Sequence, residues 1–153
     1  MMKYIVLSLA LLFSFNAQAV SWRIFGACDN KPVYEGVYEA DLQKSVGAVS
    51  LEIFNANKIP YVGSEEGLNS ILNSPIGLDS IEVVSDTEMR VYGWCYLVNG
   101  KQPMEMPHQV HFKNQSDKLT WFYAYSTNKN NQWEDYCSPA YWIQAEQFCG
   151  KKP

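Results

Sequence analysis

A short segment in the second half of the chain carries two methionines and both histidines of the sequence: Met104, Met106, His108 and His111. In an extended segment, the side chains of Met104, Met106 and His108 project to the same side. Thioether and imidazole groups together suit Cu(I), whereas Glu105 with the two histidines would favour a harder divalent ion. The alternative is a loop with packed methionines and solvated histidines, because the segment lacks a recognised metal-ligand spacing.

Two aromatic-rich segments, residues 89–98 and 119–126, alternate as strands do, so their largest rings share one face of a sheet. These candidate ligand-binding residues are Tyr92, Trp94, Tyr96, Trp121, Tyr123 and Tyr125. We expect a helix to cover the opposite, aliphatic face, which leaves an aromatic layer able to stack against a sugar, a planar cofactor or an aromatic side chain. The alternative is that the C-terminal tail covers this layer, with Trp133, Tyr141 and Trp142 in a second small core.

Candidate catalytic groups are sparse, and the acidic residues stand in turn-like stretches rather than as a general acid and base. They are Glu65, Glu66, Asp79, Asp86, Glu88, Glu134 and Asp135. No Gly-x-Ser-x-Gly motif and no glycine-rich phosphate loop occurs. We therefore predict a non-catalytic domain without a cofactor. A secreted hydrolase whose site is assembled from distant residues around His108 or His111 is an alternative.

The four cysteines, Cys28, Cys95, Cys137 and Cys149, predict two disulfides, because an even count is typical of exported domains. Four cysteines allow three pairings. We favour Cys95–Cys137, which ties a central strand to a later loop, and Cys28–Cys149, which ties the first strand to the C-terminal tail. No Cys-x-x-Cys motif occurs, which disfavours a metal or redox role.

The N-terminus has the pattern of a signal peptide spanning residues 1–19. Lys3 precedes an apolar run at 5–15, and Ala17-Gln18-Ala19 is a small-x-small cleavage pattern. Cleavage after Ala19 would leave residues 20–153 as one domain in the periplasm or outside the cell. No second apolar run is long enough to span a bilayer. The net charge of −4 disfavours nucleic acid as a partner.

The remaining pattern predicts an α+β domain with a mostly antiparallel sheet and one main helix. The expected strands are residues 21–26, 33–40, 81–84, 89–98 and 119–126, with a helix at 49–57 after an interruption at Gly47. The pair Asn99-Gly100 predicts a hairpin. Its return strand, near 101–105, should be an edge or broken strand because of Pro103 and Pro107. From about residue 127 we expect a turn-rich extension.

Three segments together are similar to a known bacterial family: Leu68-Asn69-Ser70-Ile71, residues 92–100 (YGWCYLVNG) and residues 119–123 (LTWFY). They resemble a bacterial domain of unknown function related to the C-terminal domain of transcobalamin and intrinsic factor. The resemblance implies a small β-grasp-like sheet packed on a helix, and no catalytic residues. Cobalamin binding is not implied, because this chain has no room for the helical barrel of the vertebrate proteins.

These observations together predict an exported binding module for an unidentified small molecule or partner protein, acting through the aromatic sheet face. A periplasmic copper-binding protein and a secreted hydrolase are the alternatives. A fourth interpretation is partner-protein binding at the sheet edge beside Pro103, which can accept an added strand.

Overall fold

The computed structural model describes residues 19–150, so the predicted leader lies outside the described residues apart from Ala19. Within this part of the chain there are eight strands: β1 (Val20–Phe25), β2 (Tyr34–Tyr38), β3 (Tyr61–Ser64), β4 (Gly67–Ile71), β5 (Ile81–Ser85), β6 (Glu88–Val98), β7 (Lys118–Lys129) and β8 (Gln132–Pro139). The α-helices are α1 (Val46–Ala56) and α2 (Glu146–Cys149). Neither is long and apolar enough to cross a membrane.

The main sheet has the strand order β2-β1-β7-β6-β5. The β1 and β7 strands run parallel, and all other neighbours are antiparallel. The first half of β7 pairs with β1, and its second half pairs with β8. The β3–β4 hairpin forms a separate two-stranded sheet. The predicted fold class is therefore confirmed: a mostly antiparallel sheet, one main helix and a tail held by a disulfide.

Helix α1 begins earlier than predicted. Ser45 caps it, with Oγ accepting a hydrogen bond from the main-chain N–H of Ala48 at 3.1 Å. Gly47 lies inside the helix rather than interrupting it. A side chain there would collide with the main-chain carbonyl of Glu65, so glycine allows the β3–β4 hairpin to approach α1. Helix propensity reflects only the weak helix-forming tendency of glycine, so it could not predict this contact.

The main core lies between α1 and the sheet. Val49, Ile53 and Phe54 of the helix are fully buried against Trp22 and Ile24 of β1 and the start of β7. Since the helix is only eleven residues long, this burial stabilises it more than its propensity does.

Two expectations about the later part of the chain were wrong. No return strand forms at 101–105; only an isolated bridge joins Val98 to Lys101. The region after 127 is not simply turn-rich, because β7 runs on to Lys129 and pairs with β8. Asn130 and Asn131 both have positive φ and form the connecting turn, a conformation that asparagine tolerates.

Both favoured disulfides are present. Cys28 and Cys149 have their Cα atoms 5.5 Å apart, and Cys95 and Cys137 have theirs 6.0 Å apart. The described residues contain no free cysteine. The pair Cys28–Cys149 fastens α2 to the loop after β1, and Cys95–Cys137 links β6 to β8 across the intervening strand β7.

Candidate binding cleft

The aromatic face of β6 and β7 is not an open surface, which corrects our expectation about which face the helix covers. Trp121 is 2% exposed and points at α1, where its indole N–H donates to Ser50 Oγ at 2.9 Å. Its ring centroid lies 6.5 Å from that of Phe54 and 5.3 Å from that of Tyr96. At this end of the sheet, Tyr96 and Trp121 fill the space between helix and sheet.

The other end of the same face forms a second buried cluster beneath the C-terminal tail. The rings of Tyr92 and Tyr123 lie 5.9 Å apart, and Phe148 of α2 packs edge-on against both. Ala140 and Ala145 complete this cover. The tail therefore covers this end of the aromatic layer, which is part of what the alternative interpretation held.

The residues expected to provide that cover are different ones, however. Trp133 is 44% exposed and Trp142 is 67% exposed. Tyr141 packs against Phe25, with ring centroids 6.0 Å apart. Phe148 takes the role because the Cys28–Cys149 disulfide holds its helix over the tyrosines.

Burial changes the acid–base properties of this tyrosine cluster. Burial raises the pKa of Tyr123 to about 12. It also raises the pKa of Tyr92, whose hydroxyl in addition donates to Glu82 Oε2 at 2.6 Å. Within the described part of the chain, the Tyr123 hydroxyl has no hydrogen-bond partner.

We expect alkaline pH to destabilise the fold between about pH 10 and 12. An unfolded tyrosine titrates near pH 10. The folded state keeps the proton of Tyr123 to about pH 12, so its contribution is complete below pH 10 and is lost as the pH rises through this interval. Urea unfolding at pH 8 to 12, with tyrosinate absorbance, measures this. Tyr123→Phe should keep its stability at pH 8 and lose less of it above pH 10; an unchanged alkaline loss would contradict the assignment.

A cleft of about 620 Å³ lies where three parts of the chain meet at the outer edge of β6. One wall is the β3–β4 hairpin from Gly63 to Asn69, and the other is the segment from Gln102 to Pro107. Trp94, Tyr96 and Trp121 line it from the sheet. The cleft thus joins three of the predicted aromatic residues to part of the methionine-containing segment, although these were separate candidates in the sequence.

The edge of β6 beside this cleft lacks a neighbouring strand. Strand β5 pairs with β6 only as far as Ile81 opposite Val91. The next pairing on this side is the single bridge between Val98 and Lys101. Among the described residues, no main-chain group of a turn or loop forms a hydrogen bond with the main chain of Trp94 or Tyr96.

The methionine-containing wall is held at two points. The hydroxyl of Tyr96 donates to the main-chain carbonyl of Glu105 at 2.7 Å. Gln109 N donates to the carbonyl of Met106 at 2.9 Å, closing the short helical turn Pro107–Gln109. Met104 is 97% exposed beside the cleft, and Met106 is 53% exposed.

The four proposed copper ligands are not all brought to this cleft. Met104 and Met106 line it, but His108 and His111 do not. His111 instead bridges to Ser45 at the start of α1. No group of three or more histidine, cysteine, aspartate or glutamate side chains suited to a metal occurs in residues 19–150. Copper binding by Met104, Met106, His108 and His111 stays a prediction.

The hydrolase alternative finds no assembled site in the same part of the chain. Neither His108 nor His111 makes a side-chain hydrogen bond to a hydroxyl or a carboxylate there. Glu82 of β5 pairs with Arg90 at 3.2 Å and accepts a hydrogen bond from the Tyr92 hydroxyl. These contacts brace β5 against β6.

Comparison with known proteins adds little to this geometry. No protein-family model matches the chain, and no curated protein matches it. A solved structure from Ruminococcus gnavus, described as a "putative metal binding protein", aligns with 69% of this chain and 95% of its own length. It is 16% identical in sequence, and the TM-score is 0.41. A similarity at this level transfers no function.

Sequence reasoning missed the hairpin wall of the cleft. Its turn, Glu65-Glu66-Gly67, has the composition of a solvated loop. In the structure Gly67 lies beside Met106, and a Cβ added to it would be 3.7 Å from the Met106 methyl carbon. The only available signal was the cluster of turn residues, which predicts a bend but not where the bend packs.

Proposed function

We propose that this protein is an exported, non-catalytic binding domain that holds a partner in the cleft along β6. The observation that carries this proposal is the unpaired strand edge next to a 620 Å³ cleft. Ligand-binding sites are commonly clefts of about 300–1,000 Å³ lined by apolar side chains with a few polar groups.

The cysteines support an exported location. Two disulfides and no free cysteine in residues 19–150 suit an oxidising environment such as the periplasm or the extracellular space. The link between β6 and β8 also supports a binding role, because it holds the strand behind the cleft in a fixed position. A rigid site loses less entropy on binding than a mobile one.

We also propose a relationship to the transcobalamin and intrinsic factor C-terminal domain family. Its support is the placement of the shared segments. Ser70-Ile71 ends β4, Asn99-Gly100 follows β6, and Trp121 lies in β7 facing α1. The proposal concerns ancestry and fold, and it carries no cobalamin site to this chain.

The binding role is tested by photo-cross-linking in the organism that makes the protein. A benzophenone amino acid in place of Met104, which is 97% exposed in the cleft, should yield a cross-linked species of defined mass after export and illumination. The substitution leaves the core untouched because this side chain is almost fully solvated.

The matched control places the same amino acid at Leu78, which is 85% exposed in the short helical turn Gly77–Ser80. We expect no defined adduct there. If the two positions gave the same products, or if position 104 gave none, the cleft would not be the binding site.

A further inference from the structure

We propose that the cleft receives an extended, positively charged segment of another protein, which joins the main sheet as a strand beside β6. This inference rests on the proposed function, because it names the kind of partner that the cleft binds. Strand addition to a sheet edge is a general mode of peptide recognition, in which main-chain hydrogen bonds supply much of the affinity.

The main-chain groups of Trp94 and Tyr96 point toward the vacant position. Val98 exchanges two hydrogen bonds with Lys101, of 2.9 and 3.1 Å, on the side away from β7. Asn99 N donates to the carbonyl of Lys118, at the start of β7, on the opposite side. The N–H and C=O groups of successive strand residues point to alternate sides of the strand. Trp94 and Tyr96 therefore direct these groups to the same side as Val98 does.

The vacant stretch is long enough for a partner strand. It runs from the end of β5 opposite Val91 to the bridge at Val98, which leaves residues 92–97 without a paired strand on this side. Six residues of strand extend about 20 Å, close to the typical length of a strand in a sheet. An added strand would lie in line with β5 and would continue that edge of the sheet.

The walls of the cleft suit an extended chain, whose side chains point alternately to the two faces of the sheet. Trp94 and Tyr96 present their rings toward one face of the sheet, while Pro103 and Met104 border the cleft from the segment beside it. Pro103 has no main-chain N–H, so this segment cannot itself complete the pairing at that position. The edge is therefore left free by the protein's own sequence.

The charge around the cleft selects the partner. Its charged lining residues are Glu66, in the β3–β4 turn, and Glu105, in the opposite segment, and both are acidic. The whole chain has a formal charge of −4. An incoming strand with lysine or arginine meets favourable potential on both walls, and an acidic strand meets repulsion.

The test uses a synthetic strand, acetyl-Thr-Val-Lys-Val-Lys-Val-Thr-amide, and a version with glutamate in place of lysine. NMR titration should show the cationic peptide shifting the Trp94 and Tyr96 amide signals and slowing their hydrogen exchange. At low ionic strength we expect it to bind about tenfold more tightly than the acidic peptide, and the preference should shrink at high salt.

Two controls make the test specific. A cationic peptide N-methylated at its internal residues keeps its charge but loses the N–H groups that donate to the Trp94 and Tyr96 carbonyls, and its methyl groups obstruct close pairing with the strand, so it should bind more weakly. The double variant Glu66→Gln and Glu105→Gln should lose most of the charge preference. Asp79→Asn with Asp86→Asn, which changes the net charge equally outside the cleft, should retain it.

The failures are distinguishable. Equal binding of the N-methylated peptide, or no shift at Trp94 and Tyr96, would overturn strand addition. Equal binding of the cationic and acidic peptides would overturn the charge assignment. In either case a cross-link at position 104 would leave the proposed function standing; loss of that cross-link as well would remove both.

Discussion

Replacing Trp121 with alanine is expected to lower the free energy of unfolding by about 3–5 kcal/mol, the usual range for removing a large ring from a core. Trp121 is 2% exposed between β7 and α1, and it packs on Phe54 and Tyr96. The substitution also leaves the buried hydroxyl of Ser50 without the indole N–H that it accepts from at 2.9 Å. Urea unfolding followed by far-ultraviolet circular dichroism would measure the loss.

The control for this prediction is Thr120→Ala, one residue earlier in β7. Thr120 is only partly buried and its side chain points to the other side of the sheet. Its replacement should change stability by less than about 1 kcal/mol, the span of strand propensities. Similar losses for the two variants would mean that the helix does not cover the aromatic face.

Removing the Cys28–Cys149 disulfide with the double variant Cys28→Ser and Cys149→Ser is expected to cost about 2–5 kcal/mol. The bond closes a sequence separation of 121 residues, compared with 42 for the other disulfide. Long loops gain most from closure in the chain-entropy account. Besides this loss, α2 should detach, which exposes Tyr92 and Tyr123 to solvent. Denaturant unfolding, tyrosine titration and binding of a hydrophobic dye report these changes.

Phe148→Ala separates the two contributions to this result. It keeps the disulfide and removes the ring that packs on Tyr92 at 4.6 Å and on Tyr123 at 5.4 Å. We expect easier tyrosine titration with a smaller loss of stability than in the double cysteine variant. If the cysteine variant kept its tyrosines shielded, the tail would be held by packing rather than by the disulfide.

Much of the sheet was predictable from the sequence because its central strands have strong local signals. Strand β6 was expected at 89–98 and spans Glu88–Val98, and it ends at the Asn99-Gly100 turn as predicted. What alternation cannot decide is which of two apolar faces the helix covers. Phe122 and Ala124 on one face are as buried as Trp121 and Tyr123 on the other. The choice depends on the volume that the helix leaves to be filled, which is a tertiary property.

The candidate cleft was only half predictable for a similar reason. The aromatic residues and the methionines were singled out by their chemistry, and Pro103 indicated an edge. The opposite wall depends on Gly47, whose lack of a side chain lets the β3–β4 hairpin approach α1. The resulting contact between Gly67 and Met106 joins segments far apart in sequence, and no local pattern encodes such a contact.

The parallel pairing of β1 with β7 has a consequence for biogenesis. Ser21 of β1 pairs with Lys118 of β7, so β1 cannot pair with β7 until most of the polypeptide has been synthesised. Pairings between residues distant in sequence form slowly, because the entropy of closing the intervening loop is lost before the contact forms. The two halves of this sheet therefore join late, after most of the chain is available.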